Sequence, residues 1–133
     1  MGIIVDADVI IRGEKGVFDF RSWLVSLPDE QFAVAAITVA ELWHGVERAT
    51  AAKRTRRKRY LQAVLAVLPI LPYTERTAYL HASVWAKLEA TGRMINAHDL
   101  LVAATALELD FAVATFNAKH FAAIPDLRVI IPE

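Results

Sequence analysis

A chain of 133 residues suits one domain, residues 1–133, burying about two thirds of the surface its unfolded form exposes. Fifteen basic and fifteen acidic residues balance, which excludes a general electrostatic coat for nucleic acid and leaves any such contact to a local patch. The absence of cysteine excludes disulfides, thiolate metal sites and cysteine nucleophiles, and a hydrophobic fraction of 56% leaves apolar surface for a partner.

Taken in order, Ile3 to Val5 reads as a buried strand ending at Asp6, with Asp8 two residues on. Turn signals at Gly13 and Gly16 precede a helical spacing of Phe20, Trp23, Leu24 and Leu27, stopped by Pro28. Phe32 to Ile37 is the second strand candidate. Thr38 then opens a helix, and Thr38-x-x-Glu41 matches a capping box. The run from Lys53 to Arg59 is charged except at Thr55 and begins an amphipathic helix with Leu61, Val64, Leu65 and Leu68 on its stripe. A short strand at ILPY follows. Thr74 caps another helix, with Ala78, Ala82, Trp85 and Leu88 expected on its buried face and Gly92 at its stop. The longest uncharged apolar run, AVLAVLPILPY, is too short for a bilayer and contains two prolines. The N-terminus carries no basic leader, so the expected compartment is the cytoplasm.

The stretch from Ile95 to Asn117 is the most informative. Asn96 suits a helix N-cap and places Asp99 in the first turn, where the helix dipole favours a negative charge. Leu100 to Leu109 is apolar on almost every side, which predicts a buried helix. Phe111 to Thr115 then reads as an inner strand and Arg128 to Ile131 as an edge strand. Strands alternating with helices imply a parallel sheet whose carboxyl ends share one edge. Asp6, Asp8, Glu41 and Asn117 fall at that edge; periodicity leaves open whether Asp99 reaches it.

Three segments in the same order resemble the PIN-domain family, most closely the VapC-type toxins of bacterial toxin–antitoxin pairs. They are IIVDADVII, AAITVAELWHGVERA and INAHDLLVAATALELDFAVATFNAKHFAAIPDLRV, which together cover nearly the whole chain. The resemblance implies an α/β fold, a three-layer α/β/α sandwich with a central parallel sheet. It also implies a metal-dependent endoribonuclease in which Asp6, Glu41 and Asp99 hold Mg²⁺ or Mn²⁺, Asn117 assists, and Thr115 supports the acids by hydrogen bonding. Asp8 stands where the family more often has Asn or Ser, and Asp126 where it has Gly. The partners implied are an RNA substrate, a VapB-type antitoxin whose tail crosses the acidic groove, and a second copy of the chain.

Oxygen ligands suit Mg²⁺ and Mn²⁺, which keep several waters beside one or two carboxylates. Each residue also has a plainer reading. Glu41 can be the N3 partner of a capping box, Asp99 a dipole-matched acid, Asp6 the start of a turn and Asp8 the cap of the next helix. Arg56, Arg57 and Arg59 are equally an RNA contact or a solvated helix face, and Arg12 meets either a phosphate or solvent. His98 reads as an exposed first-turn residue, His120 as structural, and Trp85 as core or interface. Two rivals to the nuclease are a receiver-type signalling domain, which lacks its aspartate in ILPYTE and its lysine in RVIIPE, and a non-catalytic PIN scaffold.

Overall fold

The computed structural model describes all residues from Met1 to Glu133. The strand Gly2–Val5 (β1) is the middle of a five-stranded parallel sheet. Its neighbours are Gln31–Ala35 (β2) and Ala112–Ala114 (β4), and Ile70–Leu71 (β3) and Val129–Ile130 (β5) form the edges, giving the order β3-β2-β1-β4-β5. The helices are Ala7–Glu14 (α1), Phe20–Ser26 (α2), Ala36–Arg48 (α3), Ala51–Val67 (α4), Glu75–Ala90 (α5) and Ala97–Leu109 (α6). A 3₁₀ turn, Ala118–His120, follows β4. This strand order removes the receiver reading, because that fold places its third strand on the other side of the first.

The period-two alternation of a strand divides the core into two faces. Ile3 and Val5 point into one, with Val9 and Ile10 of α1, Trp23 of α2, Leu42 and Val46 of α3, and Leu61 and Val64 of α4. Ile4 and Val113 point into the other, with Val84 and Leu88 of α5, Val102 and Ala106 of α6, and Phe121. The protein is therefore a three-layer α/β/α sandwich. Val102, Ala103, Ala104 and Ala106 are fully buried, as the all-round apolarity of α6 predicts; the small residues let the helix lie close against the sheet. No helix is long and apolar enough to cross a membrane.

Two expectations need correction. β2 stops at Ala35 and α3 begins at once at Ala36, so Thr38 is an interior helical residue, wholly buried with its hydroxyl unpartnered. The Thr38-x-x-Glu41 pattern is thus not a capping box, and the N-cap, Ala35, makes no side-chain bond. On α5 the buried face carries Thr77, Val84 and Leu88, while Trp85 is 49% exposed. The stripe is rotated because Thr77 is drawn inward: its hydroxyl donates to Glu108 of α6 at 2.6 Å and its amide donates to the capping Thr74 hydroxyl.

Candidate active site

Pairing of β1 with β4 sets Val5 opposite Ala114, so the next residues, Asp6 and Thr115, meet just beyond the carboxyl edge of the sheet. The Asp6 amide donates to Ala114 O at 2.9 Å, and the Thr115 hydroxyl donates to Asp6 Oδ2 at 2.9 Å. Asp6, not Asp8, is the N-cap of α1: its Oδ1 accepts from the Ala7 amide at 2.9 Å. Asp8 is turned toward the segment after β4. Its Oδ2 accepts from the Phe116 amide at 2.9 Å and from Asn117 Nδ2 at 3.1 Å. The Asn117 amide in turn donates to the Thr115 hydroxyl at 3.0 Å. Asp8 therefore orders the loop that presents Asn117, and the helix-cap reading of Asp8 falls.

Glu41 and Asp99 complete the cluster. α6 leads into β4 through a tight left-handed turn at Asp110, so it runs antiparallel to the strand and its N-terminus returns to the carboxyl edge. That geometry brings Asp99 beside the other acids, the point periodicity leaves open. Asn96 caps the helix as expected, accepting from the His98 amide at 2.8 Å. Glu41 lies in the second turn of α3, half-buried, and its Oε1 is buried without a hydrogen-bond partner. Two histidines that sequence reasoning assigned no chemistry stand at this site. His98 Nδ1 is 3.8 Å from Glu41 Oε2, and His120 Nδ1 is 3.4 Å from Asp99 Oδ2. Only the return of α6 and the 3₁₀ turn to one edge reveals them; their spacing in the chain carries no ligand signature.

All four carboxyl groups are held above their ordinary pKa. Burial raises Asp6 to about 6, with the neighbouring Asp8 charge adding to it and hydrogen bonds from Thr115 and Ala7 opposing. Burial also raises Asp8, against the bond from Phe116. For Glu41 burial raises the pKa while His98 lowers it, and for Asp99 burial raises it while His120 lowers it. Asp99 repels both Asp6 and Glu41 through space. Such a cluster favours a cation. No three acidic or histidine groups converge on one point as a closed ligand cage. Mg²⁺ does not require one, since one or two carboxylates with water complete its shell. The all-oxygen donor set and the unpartnered Glu41 Oε1 fit such an ion.

The basic residues divide. Arg12 lies over the Phe116 ring, 4.3 Å from its centroid, at the mouth beside Asp8. Arg56 and Arg59 are exposed on α4. Arg57 is engaged within the fold: Nε donates to Glu14 Oε2 at 3.1 Å and Nη1 to Gly45 O at 3.1 Å. Its guanidinium is thus committed to the fold, unlike those of Arg56 and Arg59. Arg54 likewise donates to Val46 O, Glu47 O and Ala49 O, closing the end of α3. Arg57→Gln is expected to lower stability by about 1–2 kcal/mol, read as a reduced urea midpoint, because it strips a charged hydrogen bond from Glu14. An unchanged midpoint with weakened RNA binding would return Arg57 to the nucleic-acid surface.

Comparison with known proteins adds to this geometry. Residues 3–127 match the PIN domain family. The chain is 33% identical to "Ribonuclease VapC" of Rickettsia bellii, over 98% of this chain and 96% of that one. VapBC-1 from nontypeable Haemophilus influenzae superposes with a TM-score of 0.85 at 27% identity, covering 97% of this chain and 96% of that one. VapBC2 from Rickettsia felis, solved bound to a DNA fragment from its promoter, shares the fold with a TM-score of 0.90 at 24% identity over 97% of both chains.

Proposed function

The chain belongs to the PIN-domain family, and from that premise we propose that it is a VapC-type endoribonuclease toxin dependent on Mg²⁺ or Mn²⁺. The observation that carries the reading is the gathering of Asp6, Glu41, Asp99 and Asn117, distant in the chain, at one edge of the sheet, with the pKa of the three acids raised by burial. Near-full-length similarity to a ribonuclease VapC supports the substrate class.

Asp6, Glu41 and Asp99 would hold the cation, with Asn117 assisting. When bound it would supply Lewis-acid polarisation of a phosphate oxygen and a water of lowered pKa. The Thr115 hydroxyl keeps Asp6 oriented by donating to it. Asp8 fixes the loop through Phe116 and the Asn117 amide nitrogen, which leaves the Asn117 carbonyl oxygen available to the site. His98 and His120 sit beside Glu41 and Asp99, where either ring would offset negative charge when protonated.

A VapB-type antitoxin is the proposed partner, in an assembly built on a homodimer. A groove of about 770 Å³ between α2 and α4, lined by Phe20, Leu24, Tyr60, Val64 and Val67, runs to Phe18. Phe18 packs edge-on against Phe116 at 5.1 Å, so an apolar segment lying in that groove would arrive beside Asp8 and Arg12. That path supports a tail crossing the acidic site.

RNA cleavage is expected with Mg²⁺ or Mn²⁺ and expected to vanish in EDTA. Undiminished cleavage by stripped protein would sink the metal reading, and rescue by Zn²⁺ alone would mean a different ligand set. Intact RNA under every metal condition, with antitoxin binding retained, would establish the non-catalytic scaffold instead. Mapping new 5′ ends in cells after brief induction identifies the RNA that is cut.

A further inference from the structure

We propose that the substrate strand enters along the cleft between the α5–α6 loop and the 3₁₀ turn, with Arg93 and Lys119 gripping phosphates that flank the scissile bond. The inference rests on the ribonuclease reading and assigns the phosphate contacts that reading needs. A polyanion approaching four acids is repelled unless fixed positive charges border its path. The cleft, about 560 Å³, holds Asp99 and His120 on its walls together with Arg93, Lys119, Gly92 and Asn96.

Arg93 and Lys119 are exposed, and neither joins any of the ion pairs in the protein. This sets them apart from Arg54 and Arg57, whose guanidinium groups are engaged by the ends of α3 and by Glu14. Arg56 and Arg59 are free as well, but they lie on α4 and do not line this cleft.

Both cations are carried on fixed backbone. Gly92, at φ +69°, ends α5, and the Arg93 amide donates to Leu88 O at 2.9 Å while Gly92 N–H donates to Glu89 O at 3.1 Å. That is a Schellman closure, which holds the Arg93 backbone while leaving its guanidinium free. Lys119 lies within the 3₁₀ turn, closed by His120 N–H to Asn117 O at 2.9 Å and Phe121 N–H to Ala118 O at 3.0 Å. Asn117 is itself tied to Thr115 and Asp8, so Lys119 is held in register with the acids.

The test compares Arg93→Gln/Lys119→Gln with Arg56→Gln/Arg59→Gln. Affinity for a labelled single-stranded RNA is followed against salt by fluorescence anisotropy, with Glu41→Gln added to every protein so that the RNA survives. Loss of two phosphate contacts should flatten the slope of log affinity against log salt by about 1.4, at roughly 0.7 per contact on a single strand. With Glu41 restored, KM should rise about tenfold or more with kcat little changed, and the Arg93→Lys/Lys119→Arg exchange should keep most of the slope. A wild-type slope and KM in Arg93→Gln/Lys119→Gln would overturn the proposal, as would a fall in kcat at constant KM. Should the double variant fold poorly, Lys119→Gln alone must still flatten the slope by about 0.7. Wild-type protein that binds RNA through these two residues but never cuts it would overturn the ribonuclease reading and leave the phosphate grip standing.

Discussion

Glu41→Gln is expected to leave a folded protein whose RNA cleavage is at least about a hundredfold slower, a loss of roughly 2.7 kcal/mol of transition-state stabilisation. The exchange keeps side-chain size and helix propensity, and Glu41 takes no part in capping α3 because that helix begins five residues earlier, at Ala36. No hydrogen bond to Glu41 Oε1 is lost, since that atom has none. What disappears is a formal charge in a half-buried position where burial already raises the carboxyl pKa. Thermal stability without metal should therefore be equal to or above wild type, while the stabilising response to added Mg²⁺ or Mn²⁺ weakens. Wild-type turnover in this variant would remove Glu41 from the chemistry. Asp99→Asn is the matching control, because Asn also suits the start of a helix.

Asp6→Asn should raise stability and abolish cleavage together. The folded Asp6 titrates near 6, above the ordinary 3.8, so the folded state holds that proton more tightly than the unfolded chain does. Its contribution to stability is fully present below about pH 4 and is lost as pH rises through 6. At pH 7 the ionised carboxylate costs roughly 3 kcal/mol relative to its acid form. Asn is neutral throughout, ranks with Asp as an N-cap and can still accept from the Ala7 amide. Melts of metal-free protein between pH 4 and 8 should show the variant ahead at neutral pH and the difference closing toward pH 4. Excess Mg²⁺ should narrow the neutral-pH gap by stabilising wild type alone. An equal or lower melting temperature for Asp6→Asn at pH 7 would contradict this account of the cluster.

Much of the architecture was legible because buried parallel strands announce themselves as short apolar runs, as at Ile3 to Val5 and Ala112 to Ala114. The Asn96 cap and the buried α6 were legible for the same local reasons. The start of α3 was not: β2 passes into the helix without a polar cap, so Thr38 and Glu41 mimicked a capping motif three residues too late. Trp85 faces outward because Thr77 is fixed by Glu108 across the layer, a contact no helical period encodes. Arg57 looked like its exposed neighbours Arg56 and Arg59, and only the packing of α4 beside α1 and α3 distinguishes it. The placement of His98 and His120 depended on chain direction, which is a property of topology.

The meeting of Asp6 with Thr115 spans 109 positions in the chain. On the ribosome, β1 and β2 emerge early, but β4 must follow before Asp6 gains its hydroxyl partner. At about 5–20 residues per second, synthesis takes roughly 4–15 s to pass from Glu41 to Asn117. For most of that interval the nascent chain carries Asp6, Asp8 and Glu41 but not yet Asp99, and until its end it lacks the loop that orders them. On the ribonuclease reading, a chain still short of its last third has no complete acidic cluster, so cleavage has to wait until Asp99 and Asn117 have been made.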